Sequence, residues 1–143
     1  TIPNDWTTIA NSAFKSCSSL STITIPDSVT SIEEFAFWFC SYLSTVVIPN
    51  SVTTIRAGTF EACSSLSTIT IPNSVTRIGD SAFKSCSSLS TITIPNSVTG
   101  IGNHAFPSCL GFGLSLAHHN DPRGLVTCVA CSDNRTITIP DGV

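Results

Sequence analysis

LSTITIPNSVTRIGDSAFKSCSS, from Leu66 to Ser88, is one period of a pattern that recurs every 23 residues. Phe14, Phe37, Phe60, Phe83 and Phe106 form one column of it, and Cys17, Cys40, Cys63, Cys86 and Cys109 another. Leu20, Leu43, Leu66 and Leu89 keep the same step. So do Pro3, Pro26, Pro49, Pro72 and Pro95, and also Ile9, Ile32, Ile55, Ile78 and Ile101. That many columns in one register mean an internal structural repeat, which has to be settled before any other reading.

Each part of the period has a physical preference. Leu66-x-x-Ile69-x-Ile71 predicts a short strand, with Ile69 and Ile71 on one face and Thr68 and Thr70 on the other. Pro72 removes a backbone donor and ends the pairing, and Asn73-Ser74 supplies turn chemistry. Val75 and Ile78 return to the core. Asp80 or Ser81 can cap a short helical turn that carries Ala82, Phe83 and Cys86 inward. One such unit cannot bury its own apolar face, whereas stacked neighbours bury it for one another, so a solenoid follows. Strand spacing sets a rise of about 4.8 Å per unit on the strand side.

These columns resemble the leucine-rich repeat family, in its BspA-like class with the pattern L-x-x-I-x-I-P-x-x-V-x-x-I-x-x-x-A-F-x-x-C; the match is close over residues 1–109. The resemblance implies an α/β repeat solenoid: a curved horseshoe segment with a parallel sheet on the concave side and short helices on the convex side. It also implies a habit of binding other macromolecules, often at cell surfaces.

A single solenoid is expected over 1–143, with regular repeats over 1–109, a degenerate repeat over 110–133 and the start of a further one over 134–143. Leu114-Ser115-Leu116-Ala117 aligns with Ile92-Thr93-Ile94-Pro95 after one deletion. Cys128 then falls in the Phe column and Cys131 in the Cys column. Asn120 and Arg123 fall on core columns, where they cannot pack unpaired, so a looser loop is expected around His118–Gly124. The start, Thr1-Ile2-Pro3-Asn4, lies inside the pattern, which suggests a fragment or a processed chain.

The composition narrows the function. Only 10% of the 143 residues are charged, against roughly 25% in ordinary globular proteins, and serine and threonine supply the polarity instead. A net charge of −3 offers no basic surface for a phosphate backbone, so no nucleic acid is expected as a partner. No apolar run is long enough for a transmembrane helix.

Seven cysteines raise the question of disulfides or metal. The five periodic ones occupy one inward column and suit small packed hydrophobes. A bridge needs Cα atoms within about 7 Å, and repeats spread apart on a convex side. Cys128-x-x-Cys131 with His118 and His119 is a weak zinc candidate, because the spacing is uncommon for zinc and the repeat already accounts for both cysteines. A local disulfide there is the other alternative. No cofactor is expected. There is no G-x-S-x-G, no Gly-rich phosphate loop and no H-E-x-x-H, and Glu33 and Glu34 are adjacent and point apart, so no enzyme is expected. The sequon Asn134-Arg135-Thr136 is too common a triplet to place the chain.

Two surfaces stand out as partner-binding candidates. On the outward strand face Thr22, Thr45, Thr68 and Thr91 form one row, and Thr24, Thr70 and Thr93 a second that Val47 interrupts. Such T-x-T ladders are similar to those of ice-binding β-solenoids, although threonine is also an ordinary strand residue. In the second unit, Phe35, Trp38, Phe39 and Tyr42 stand in columns that hold Ser12, Lys15, Ser16 and Ser19 one unit earlier. A column that tolerates lysine faces solvent, so the rings should emerge on the convex side. A rigid exposed aromatic cluster suits a protein partner, and mutual packing of the rings is the structural alternative. The expected function is a non-enzymatic protein-interaction module; the alternatives are a structural subunit or spacer of a larger assembly and an ice-binding surface.

Overall fold

The computed structural model describes residues 2–89, 91–106, 125–127 and 136–138. It is a stack of parallel coils, each crossing two lines of strands. The first line holds β2 (Thr22–Thr24), β4 (Thr45–Val47) and β6 (Thr68–Thr70), paired in parallel with Thr22 opposite Thr45 and Thr45 opposite Thr68. A fourth strand of this line, β8 (Thr91–Thr93), belongs to a separate sheet. It pairs in parallel with β11 (Thr136–Thr138), and β11 pairs antiparallel with β10 (Leu125–Thr127). The strand expected at Leu114–Ala117 lies outside the described residues, as does the loop around Asn120 and Arg123.

The second line was not foreseen in the sequence. It consists of two-residue strands: β1 (Thr8–Ile9) pairs with β3 (Ser31–Ile32), and β5 (Thr54–Ile55), β7 (Arg77–Ile78) and β9 (Gly100–Ile101) pair in order. Its inward residues are the isoleucine column, with Ile9, Ile55 and Ile78 all but sealed from solvent.

Among the described residues no helix forms, which corrects the expectation of short convex helices. The cause is backbone handedness. Ser12 and Ser16, Phe35 and Phe39, Gly58 and Ala62, and Ser81 and Ser85 all have φ between 55° and 61°. A left-handed residue ends a right-handed helix, and two per coil leave no room for one. The N–H groups divide accordingly. Those of Ser12, Phe14 and Ser16 donate to the carbonyls of Glu34, Ala36 and Trp38 in the next coil, at 3.1, 2.8 and 2.8 Å. Those of Ala13, Lys15 and Cys17 turn back three residues to Ala10, Ser12 and Phe14. Phe35, Phe37 and Phe39 repeat the pattern onto Ala57, Thr59 and Glu61. The turn side is thus a hydrogen-bonded ladder running along the solenoid axis. Asp80 serves it too, its carboxylate accepting from Asn103 N–H at 2.8 Å in the next coil instead of capping a helix.

The core is the set of columns. Phe14, Phe37, Phe60, Phe83 and Phe106 stack with nearly parallel rings, their centroids 5.2, 5.4, 5.6 and 6.0 Å apart in order. These steps exceed the strand spacing of about 4.8 Å, so each coil is wider on the turn side than on the strand side. The cysteine column lies beside the rings. The thiols of Cys40, Cys63 and Cys86 donate to the carbonyls of Phe14, Phe37 and Phe60, at 2.9, 3.1 and 3.1 Å. These three side chains are fully buried, whereas Cys17 is half-buried. The column therefore binds coil to coil through S–H donors.

Candidate functional site

The second unit, residues 20–42, carries its four rings on the turn side, and the ladder explains how. Phe35 and Phe39 occupy the two left-handed positions, at φ 56° and 60°, and project away from the core between residues that point inward. Ala36, Phe37 and Cys40 take the inward places and are fully buried. Phe39 and Tyr42 are 54% and 64% exposed, and Phe35 37%. Trp38 is half-buried.

Phe35, Trp38 and Phe39 form one connected group. Trp38 stands edge-on to Phe35, with centroids 6.2 Å apart at 71°, and to Phe39, 6.4 Å apart at 67°. Both are favoured edge-to-face arrangements. Lys15 Nζ lies 4.4 Å from the centre of the Trp38 ring, a cation–π contact from the preceding coil. Phe35 leans into the following coil, where it covers Gly58. Trp38 is therefore fixed by its neighbours, while Phe39 and Tyr42 present free faces.

Charge is sparse and mostly paired around the cluster. Arg56 meets Glu33 at 3.3 Å, and Lys84 meets Glu61 at 3.5 Å. Glu33 also accepts from the Ser31 hydroxyl. Glu33 is thus engaged in packing, away from its neighbour Glu34.

The strand face is the second expected surface. Thr22, Thr24, Thr45, Thr68, Thr70 and Thr93 are exposed, and pairing brings Thr22, Thr45 and Thr68 into one row. Thr91 aligns with Thr136 across the β8–β11 pair. Val47 lies in the second row between Thr24 and Thr70 and is 59% exposed, an apolar break in a hydroxyl surface. The two surfaces lie on different sides of the coil and do not merge.

Sequence reasoning passed over Lys15 and Gly58 as parts of the aromatic site. The signal for Gly58 was present, since it follows Phe35 in the same column one unit later. Trp6 was also passed over. It stands in the column of Val29, Val52 and Val75 and is 43% exposed where they are buried. His118, His119, Cys128 and Cys131, the weak metal candidates, lie outside the described residues. Among the described residues no group of three or more His, Cys, Asp or Glu gathers to hold a metal, and no helix is long and apolar enough to cross a membrane.

A family model described as the BspA type leucine rich repeat region matches residues 1–112 in six copies. The chain is also similar to solved structures. A leucine-rich repeat protein from Bacteroides ovatus shares 42% identity at a TM-score of 0.69, over 73% of this chain and 27% of that one. The T. pallidum leucine rich repeat protein shares 39% identity at a TM-score of 0.70, over 72% of this chain and 48% of that one. A leucine rich cell surface protein from Faecalibacterium prausnitzii shares 36% identity at a TM-score of 0.67, over 71% and 30%. The matched stretch covers at most about half of each of these solved chains. No curated protein matches the chain.

Proposed function

The chain belongs to the BspA-type leucine-rich repeat family, and from that premise we propose that it is a non-enzymatic protein-interaction module whose main anchor is the aromatic cluster of the second unit. The observation that carries this reading is the exposure of Phe39 and Tyr42, at 54% and 64%, on a coil whose Ile25, Val29, Ile32, Ala36, Phe37 and Cys40 are buried. Trp38, itself packed against Phe35, holds the Phe39 ring edge-on, so little side-chain entropy is lost when a partner covers Phe39. Repeat proteins of this family are scaffolds in general, and no enzyme family is indicated. The threonine face offers a second, flatter contact surface. The Faecalibacterium protein is described as a cell surface protein, which supports a surface location for this chain as well.

The test is a pull-down from the native source with the wild-type chain and with Phe39→Ser/Tyr42→Ser. The proposal expects a partner that the wild type retains and the double variant loses, with unchanged thermal unfolding. Equal retention by both proteins would overturn the aromatic anchor. One fixed stoichiometric neighbour would identify a structural subunit or spacer, and exchangeable ligands would identify a receptor-like module. A thermal-hysteresis measurement separates the ice-binding alternative, against which the break at Val47 argues.

A further inference from the structure

The first strand line opens at one place. β2, β4 and β6 are joined by continuous pairing, but among the described residues no strand pairing joins β6 to β8. At the opening lies a groove of about 380 Å³. Its floor is Ile69, Ile71, Ile92 and Pro95, and its rim is Thr68, Thr70, Thr93 and Asn73. Ile69 is 9% exposed, against 2% for Val46 and 3% for Ile92 in the same column.

We propose that this groove is the pocket into which a docking protein inserts one uncharged, branched aliphatic side chain. The inference rests on the interaction-module reading and gives its threonine face a specific anchor point. Among the described residues none that lines the groove is ionisable, so a charged group entering it would lose hydration with no counter-charge from them to meet it. The isoleucine floor matches a branched aliphatic side chain in chemistry. Thr68, Thr70, Thr93 and Asn73 carry hydroxyl and amide groups that can bond the peptide groups on either side of the inserted residue. The volume falls at the small end of the range for ligand pockets, which fits one side chain with its flanking peptide units. A protein is the occupant because the groove continues the exposed strip of Thr22, Thr45 and Thr68, a surface that a larger partner would cover along with the pocket.

The probe is N-acetyl-leucine methylamide, added to the ¹⁵N-labelled chain and followed by amide shifts. Saturable shifts confined to residues 68–73 and 92–95 are expected, with a Kd on the order of 1 mM for so small a ligand. Thr93→Trp should fill the groove and abolish the shifts, and Thr24→Trp, on the paired part of the same face, should leave them intact. If Thr93→Trp fails to fold, Thr70→Trp replaces it. Absent or scattered shifts, shifts that persist in the filled variant, or equal shifts with the corresponding aspartate and lysine amides would each overturn the proposal. Phe39→Ser/Tyr42→Ser should keep the leucine-probe shifts whether or not it has lost a protein partner, so the two readings fail separately.

Discussion

The ring of Phe35 lies over Gly58, so that a Cβ at residue 58 would collide with its edge. The two residues occupy the same column, one unit apart. Both are left-handed, at φ 56° and 59°, and Ser12 and Ser81 hold that conformation in neighbouring units. The backbone of this column therefore accepts a side chain, and it is the ring that demands glycine. Gly58→Ser should destabilise the chain by about 1–3 kcal/mol through overpacking. Phe35→Ser in the same protein should recover most of that loss. Urea unfolding of the two single variants and the double variant measures the coupling, and additive effects would show that the ring and the glycine are independent.

The phenylalanine stack predicts a gradient of sensitivity. Phe60 is fully buried between two rings at 5.4 and 5.6 Å, whereas Phe14 is half-buried with one ring neighbour. Phe60→Ala should cost about 3–5 kcal/mol, and Phe14→Ala roughly half as much. Denaturant midpoints decide this, and equal losses would mean that the stack does not set stability.

The turn-side ladder predicts a spectrum. Its N–H groups alternate between the next coil and a carbonyl three residues back, so no run of consecutive helical bonds exists among the described residues. In far-UV circular dichroism the described residues should contribute a β-type curve, so the helix content of the chain should not exceed what the remaining residues can supply. A helical signal larger than those remaining residues can supply would contradict the ladder.

How far the sequence foretold these features depended on how often each column was sampled. Ala82, Phe83 and Cys86 were placed inward because several units agree on them, and all three are buried. The parallel strand at Thr68–Thr70 was legible from its alternation. The pair Thr54–Ile55 was not, because two residues cannot display a period. Handedness was hidden for a different reason. Ser12, Ser16, Phe35 and Ser81 are not residues that announce a positive φ, and Gly58 and His104 were too few to reveal the pattern. Columns record which side chains point inward and say little about how the backbone turns between them. The outward position of Phe39 followed from the serine and alanine of its column. The partial burial of Trp38 did not, since it depends on Lys15 and on the two flanking rings.

The cysteine column yields the last prediction, because its chemistry follows from its burial. Burial pushes the Cys40 thiol up to about 11 and the Cys63 thiol up to about 12, from an ordinary value near 9. At neutral pH both are thiols whose S–H groups bond the carbonyls of Phe14 and Phe37, and neither is a nucleophile. A thiol-specific alkylating reagent should therefore modify half-buried Cys17 before Cys40 and Cys63, and reach these two only through unfolding, at a rate that rises with urea. The same shifts fix the sign of the pH dependence. A thiol that ionises later in the folded chain than in the unfolded one stabilises fully below the unfolded value. That contribution is lost as pH climbs from about 9 toward 11 and 12, because the unfolded chain releases its proton first. The urea midpoint should stay flat with respect to these thiols between about pH 6 and 8 and fall above about 9. Substituting both by alanine should lower the midpoint at neutral pH, through the lost S–H bonds and packing, and should flatten its alkaline decline. An alkaline decline of equal steepness in the alanine variant would assign it to other groups and remove the thiols from the account.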